Sequence, residues 1–375
     1  MLLSICSAAF GLFIIEVGLR TLTPYPNHLP RSNQVPDKLL GYRMRPYSFG
    51  TNSEGFRSPE ASKPIHFIAI GDSHTFGINA SELGAWPALT ASRNNWTFYN
   101  LGTPGYNIGQ YYHLFQIALR LKPKIIILAI YPYNDFEEFC ATPELRAENV
   151  VLRASESPTS EEARCDGLVG DGPSETAAAS TLSKTAIASV LRDFFRIAGT
   201  RSPKVPFLGR DDVFRIIERQ VNVSFALPER TAYLNRVRMD QVSSTRARQA
   251  LSSLFKMIGD ASDHSENGSQ SLKTMVVIVP SKDRVFQSTK RWIFPSEVIE
   301  LQSYERALTS LVITTARKFN LATCDLNHDL VRALASGGSM YPTHDNSHPQ
   351  PEGYAVYSDG IQACLRRFEM LDEAP

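Results

Sequence analysis

Apolar runs recur along the chain at intervals that fit an alternation of strand and helix. Phe67-Ile68-Ala69-Ile70 is one such run, and it stops abruptly at Gly71. Trp96 to Gly102 is a second, rich in aromatic residues. Lys124 to Tyr131 is the strongest: every position from Ile125 to Ile130 is apolar, as expected for a central parallel strand covered on both faces. Thr274 to Pro280 and Ala322 to Leu326 complete the set. Between these runs apolar residues return at helical spacing. Leu114, Ile117, Ala118 and Leu121 predict a helix over 111–121, ended by Pro123. Further helices are expected over 86–92, 186–197, 212–219, 234–258, 303–319 and 354–368. Strand, helix and strand in repeated succession predict a parallel sheet with right-handed crossovers, an α/β fold.

Two regions depart from the pattern. Ala154 to Thr185 is dominated by Ser, Glu, Ala, Thr and Gly and reads as a mobile surface segment. It lies within an insertion expected at about 141–270. At the other departure, Leu2 to Ile15 is apolar apart from Ser4, Cys6 and Ser7, and after Glu16 the run continues to Arg20. Such a run approaches the roughly 20 residues that a transmembrane helix needs. A membrane anchor over 1–22 is the expectation, with a cleaved signal peptide as its rival, although no basic n-region and no small-x-small site are present. Arg20, Arg31, Lys38, Arg43 and Arg45 all follow the run, and the positive-inside rule would keep that side cytoplasmic. Residues 23–63, rich in proline and polar side chains, read as a tether into a domain spanning 64–370.

Composition narrows the function classes. The 375 residues are 43% hydrophobic and 21% charged, ordinary for a globular protein with a real core. A net charge of +1 and the lack of a long basic patch give no support to a nucleic-acid partner. The five cysteines, Cys6, Cys140, Cys165, Cys324 and Cys364, contain no C-x-x-C pair, so zinc-site and thioredoxin-like readings fail. Whether any of them pair is not fixed by their spacing.

The chemistry sits where the apolar runs end. Asp72 and Ser73 follow Gly71, placing a hydroxyl at the carboxyl end of a strand and the start of a helix, where ligands bind in open parallel sheets. Alone, the pair reads first as a helix cap, and the other stretches change that. After the second run, Gly105 can bring its backbone N–H close to a ligand because it has no Cβ. Asn134, just past the strongest strand, can turn its amide toward the same rim or simply form an Asx turn. Near the C-terminus, Asp345 and His348 stand three apart in a proline-bounded loop. That spacing lets a carboxylate orient an imidazole and leave its Nε2 free as a base. His74 and His344 compete with His348 for that part.

Together, Gly71-Asp72-Ser73, Gly105, Asn134-Asp135 and Asp345-x-x-His348 resemble, in order, the four sequence blocks of the SGNH (GDSL-like) hydrolase family. Asn52-x-x-Gly55-Phe56-Arg57 further resembles membrane-anchored bacterial members. Tyr131 stands where the family usually has glycine, and His74 where many members have leucine. The resemblance implies a three-layer α/β sandwich on a mainly five-stranded, flavodoxin-like parallel sheet. It also implies an ester hydrolase in which Ser73 is the nucleophile, His348 the base and Asp345 its orienting group. The oxyanion would be held by the N–H groups of Ser73 and Gly105 and the amide of Asn134. No cofactor and no metal are needed for this chemistry. The implied partner is a small-molecule or glycan ester, in an extracytoplasmic domain. An O-acyltransferase acting on a polysaccharide would use the same residues, and a non-catalytic carbohydrate-binding module could keep the same fold.

Overall fold

The computed structural model describes residues 33–61, 64–136, 213–218, 221–226, 243–263, 272–294, 296–343 and 347–371. The expected anchor over 1–22 and the expected helix over 186–197 lie outside the described residues. Among the described residues no helix is long and apolar enough to cross a membrane.

The first described elements are β1 (Gln34–Asp37) and β2 (Gly41–Met44), an antiparallel hairpin. Next come β3 (Phe67–Ile70), α1 (Ser73–Phe76), α2 (Trp86–Asn94), β4 (Phe98–Asn100), α3 (Ile108–Leu121) and β5 (Ile125–Ile130). A second hairpin pairs β6 (Val213–Glu218) with β7 (Val221–Ala226). The chain continues through α4 (Ser243–Asp263), β8 (Lys273–Ile278), α5 (Lys282–Ser288) and α6 (Ser296–Lys318). It closes with β9 (Ala322–Asp325), α7 (Asn327–Ala335) and α8 (Pro351–Arg367).

The main sheet has five strands in the order β4-β3-β5-β8-β9, all parallel, as the apolar runs predict. Successive residues of β5 serve opposite faces. Ile126, Leu128 and Ile130 join Leu114, Phe115, Leu251, Phe255 and Val312 from α3, α4 and α6 in one core. Ile125, Ile127 and Ala129 join Trp86, Leu330, Tyr354, Tyr357 and Ile361 from α2, α7 and α8 in the other. Helices therefore cover both faces, which is why the strand is apolar throughout. The chain winds from β3 outward to β4, then returns past β3 to β5. The order of succession reverses beside β3, so the carboxyl ends of β3 and β5 are the position at which ligands bind in open α/β sheets.

Three expectations change. Val213–Glu218, expected within a helix, is a strand, because β-branched Val213, Ile216 and Ile217 find a cross-strand partner in Val221–Ala226. α4, expected as part of the insertion, belongs to the three-layer body, with Ala250, Leu251, Leu254, Phe255 and Ile258 buried. The described part of the expected tether is also packed: Leu40 and Phe56 lie in the core beside α3 and β3. Finally, Cys324 of β9 is bridged to Cys364 of α8 at a Cα separation of 6.0 Å, within the reach of a disulfide.

Candidate active site

The turn from β3 into α1 is set by lack of space. A Cβ on Gly71 would lie 2.1 Å from Thr75 Oγ1 and 3.0 Å from the Ala129 carbonyl oxygen, so only glycine lets the chain reverse so closely against β5. Asp72 then caps α1, its carboxylate accepting the His74 N–H at 2.9 Å. This places Ser73 at the first helical position, where the backbone N–H has no partner within the helix. Ser73 is nearly buried, with 7% of its surface exposed.

His348 reaches Ser73 from the opposite end of the sequence. Its Nε2 lies 2.8 Å from Ser73 Oγ. The Asp72 carboxylate is a longer alternative at 3.3 Å, so the single hydroxyl proton is better placed toward the imidazole. The loop carrying His348 is tied at several points. Gln350 donates its N–H to the Met340 carbonyl at 2.8 Å and closes the neck. The buried Lys282 ammonium, just past β8, donates to the Pro342 carbonyl at 2.8 Å. Asn79 Nδ2, just past α1, donates to the His348 carbonyl at 3.0 Å. Asp345 and His344 lie outside the described residues.

The other two predicted residues follow the two strands that flank β3. Asn134 is half-buried in the turn after β5, and its N–H donates to the Tyr131 carbonyl at 3.3 Å. The turn is held by Asp135, fully buried, whose Oδ2 accepts the Tyr131 N–H at 2.8 Å and the Tyr111 hydroxyl at 3.0 Å. Gly105 sits in the loop after β4, which is seated on α1. Gly102 packs so closely that a Cβ would meet Phe76 N at 2.6 Å, and Thr103 donates its N–H to the Gly71 carbonyl at 3.2 Å. Asn100 joins loop to helix, its Nδ2 donating to Thr75 O at 3.0 Å and its Oδ1 accepting the Gly102 N–H at 2.9 Å.

Sequence reasoning assigned no role to Asn79, Asn100, Asp135, Lys282 or Arg57. Arg57 is buried and donates to the carbonyls of Gly77 and Ala80, each at 2.8 Å, with its guanidinium over the Phe76 ring. It thus holds the end of the helix that carries Ser73. The only trace of this in the sequence is the Asn52-x-x-Gly55-Phe56-Arg57 pattern.

The two departures from the family pattern touch each other. The His74 ring packs on Tyr131 with centroids 4.2 Å apart, lies 4.9 Å from the His348 ring, and has Nδ1 3.3 Å from the Tyr357 hydroxyl. Burial holds the His74 imidazole well below its ordinary range, and the nearby His348 adds to the effect. His74 is therefore a neutral wall at neutral pH, and it does not oppose a positive charge forming on His348.

Burial also pushes the Asp72 carboxyl up to about 6, with the His74 N–H pulling the other way. A carboxyl raised on folding contributes stability that is complete below its ordinary value of 3.8 and is lost as pH rises through about 6. Asn is as good an N-cap and does not titrate. Asp72→Asn should therefore gain in melting temperature relative to the wild type between about pH 4 and about pH 7.5. A gap that stays constant across that range would show that folding does not raise the carboxyl.

No family model matches the chain, and no curated protein matches it. Among solved structures it is similar to an extracellular lipase from Streptomyces rimosus, at 12% identity and a TM-score of 0.39, covering 80% of this chain and 99% of the lipase. It is also similar to a member of the lipolytic G-D-S-L family from Veillonella parvula, at 12% identity and a TM-score of 0.33, with 81% and 99% covered. An acetyl xylan esterase from Geobacillus stearothermophilus matches at 11% identity and a TM-score of 0.37, with 84% and 100% covered.

Proposed function

We propose that this chain is a serine-dependent acyl hydrolase acting on an ester. One observation carries the reading: Ser73 Oγ lies 2.8 Å from His348 Nε2, at the carboxyl end of the strand beside which the sheet order reverses. Ser73 Oγ attacks the ester carbonyl carbon and passes its proton to His348 Nε2. The tetrahedral oxyanion is stabilised by the N–H groups of Ser73 and Gly105 and the Asn134 amide. Collapse breaks the bond to the leaving oxygen, which takes the proton from His348 and departs as the alcohol. Water then gives a proton to His348 and attacks the acyl carbon, and as the Ser73 Oγ–acyl bond breaks Oγ takes that proton back from His348, releasing the acid. Asp345 is assigned the part of a carboxylate that fixes the imidazole's tautomer and stabilises the imidazolium.

The test is a fluorophosphonate probe applied to the full chain, followed by peptide mapping. Stoichiometric labelling at Ser73 is expected, together with hydrolysis of a short-chain aryl ester. Labelling at another residue, or ester turnover that continues after Ser73 is fully labelled, would overturn the assignment.

We further propose that the catalytic domain works in an oxidising, extracytoplasmic compartment, held to a membrane by the run at 1–22. The Cys324–Cys364 disulfide supports this, since such bridges persist in oxidising compartments. Protein taken from its native compartment should resist thiol alkylation at both cysteines until reduced. Alkylation without reduction would remove the support.

A further inference from the structure

The described chain begins with a hairpin that makes a specific contact beside the site. Thr103 to Tyr106 form a β-turn closed by the Tyr106 N–H on the Thr103 carbonyl at 3.1 Å. Pro104 occupies its second position, and Gly105, at φ +80°, its third. That is the pattern of a type II turn, which needs a positive φ at the third position. The peptide unit between Pro104 and Gly105 is planar and trans, so the Pro104 carbonyl and the Gly105 N–H point in opposite directions. In type I and type II turns this central unit is flipped over. Whatever holds the carbonyl therefore decides where the N–H points.

The Tyr42 hydroxyl, on β2, donates to the Pro104 carbonyl at 2.6 Å. Tyr42 is itself fixed: its carbonyl accepts the buried Tyr106 hydroxyl at 2.5 Å, and the two rings pack edge-on with centroids 5.3 Å apart. The hydroxyl also closes the space around the turn. A Cβ built on Gly105 would lie 2.6 Å from it. On the other side, the Gly105 N–H donates to no partner among the described residues, and Gly105 is exposed.

We propose that Tyr42 is a positioning residue for the oxyanion site: its hydroxyl holds the Pro104–Gly105 peptide in the orientation that presents the Gly105 N–H to the developing oxyanion. The inference rests on the acyl-transfer reading above. Tyr42 touches no reacting atom and acts through one peptide unit. Tyr42→Phe removes a single oxygen and leaves the ring packing and the Tyr106 bond in place, so the peptide loses its anchor while the hairpin stays seated.

The experiment measures three things on the full chain: the second-order rate of fluorophosphonate labelling at Ser73, steady-state hydrolysis of an aryl acetate, and melting temperature. For Tyr42→Phe, labelling, kcat and kcat/KM should each fall about threefold to tenfold, with KM unchanged. The same substitution in a Gly105→Ala background should have no further effect on rate, because the peptide it orients is already displaced. A purely structural Tyr42 would lower the melting temperature and leave the labelling rate of the folded protein unchanged, which overturns the proposal. An equal fold loss with Gly105 and with Ala at that position also overturns it, since Tyr42 would then act elsewhere. If wild-type Ser73 is not labelled at all, the acyl-transfer reading fails and the positioning role falls with it. If Ser73 is labelled at the same rate in wild type and Tyr42→Phe, only the positioning role fails.

Discussion

Ser73→Ala and His348→Ala should each lower kcat for a model ester by about ten-thousand- to a million-fold, and the double variant should be no worse than the more damaged single one. Ser73 without a base is an alcohol whose proton has nowhere to go in the transition state. His348 without the hydroxyl has no proton to accept. The 2.8 Å contact between them makes one functional unit, so removing either half removes the whole effect. Additive losses would mean that the two side chains act in separate steps. His344→Ala should be nearly silent, because a histidine directly before Asp345 is poorly spaced to pair with it. His74→Ala should act mainly through packing. His74 contacts Tyr131, Tyr357 and His348 and is buried, so its loss leaves a cavity and lowers melting temperature more than it lowers turnover. If His74→Ala proved the most damaging to kcat while His348→Ala kept most of its activity, the assignment of the base would be wrong.

What the sequence made legible was what local chemistry decides. Ile125–Ile130 is apolar at every position because both its faces meet helices, so the central strand and its neighbours could be read directly. Gly71, Asp72 and Ser73 announce a tight turn into a capped helix, and that is what they build. What stayed hidden depends on partners far along the chain. Val213–Glu218 places its apolar residues at spacings that suit a helix as well as a strand, and only pairing with Val221–Ala226 decides between them. Gln34–Asp37 and Gly41–Met44 show no clean alternation; they are seated by Tyr106 and by the turn at Gly105. Arg57 looks like a surface charge until the carbonyls at the end of α1 close around it. The hydrogen bond from Asn79 to the His348 carbonyl joins positions with no local relation at all.

Asn134→Ala should lower kcat about a hundred- to a thousandfold and kcat/KM by the same factor, leaving KM nearly unchanged. Asn134 lies in the turn after β5 and Ser73 just past β3, its neighbour in the sheet, so both stand at the carboxyl ends of adjacent parallel strands. Groups other than the Asn134 side chain help to hold this turn around Asn134. Its backbone N–H meets the Tyr131 carbonyl, and the Asp135 carboxylate binds the Tyr131 N–H and the Tyr111 hydroxyl. Removing the Asn134 amide leaves those ties in place and, on the proposed mechanism, takes away a donor that acts only when negative charge forms on the acyl oxygen. A side chain that merely shaped an Asx turn would give the reverse pattern, with a lower melting temperature and near-normal kcat. Asp135→Ala supplies the contrast within the same turn. Its fully buried carboxylate holds the turn together, so this change should destabilise the fold strongly and reduce turnover only as far as the site loosens. The two variants thus separate the donor from its scaffold. An Asn134→Ala protein that melts early yet turns over at the wild-type rate would end the oxyanion role for this residue and leave Ser73 and Gly105 as the only proposed donors.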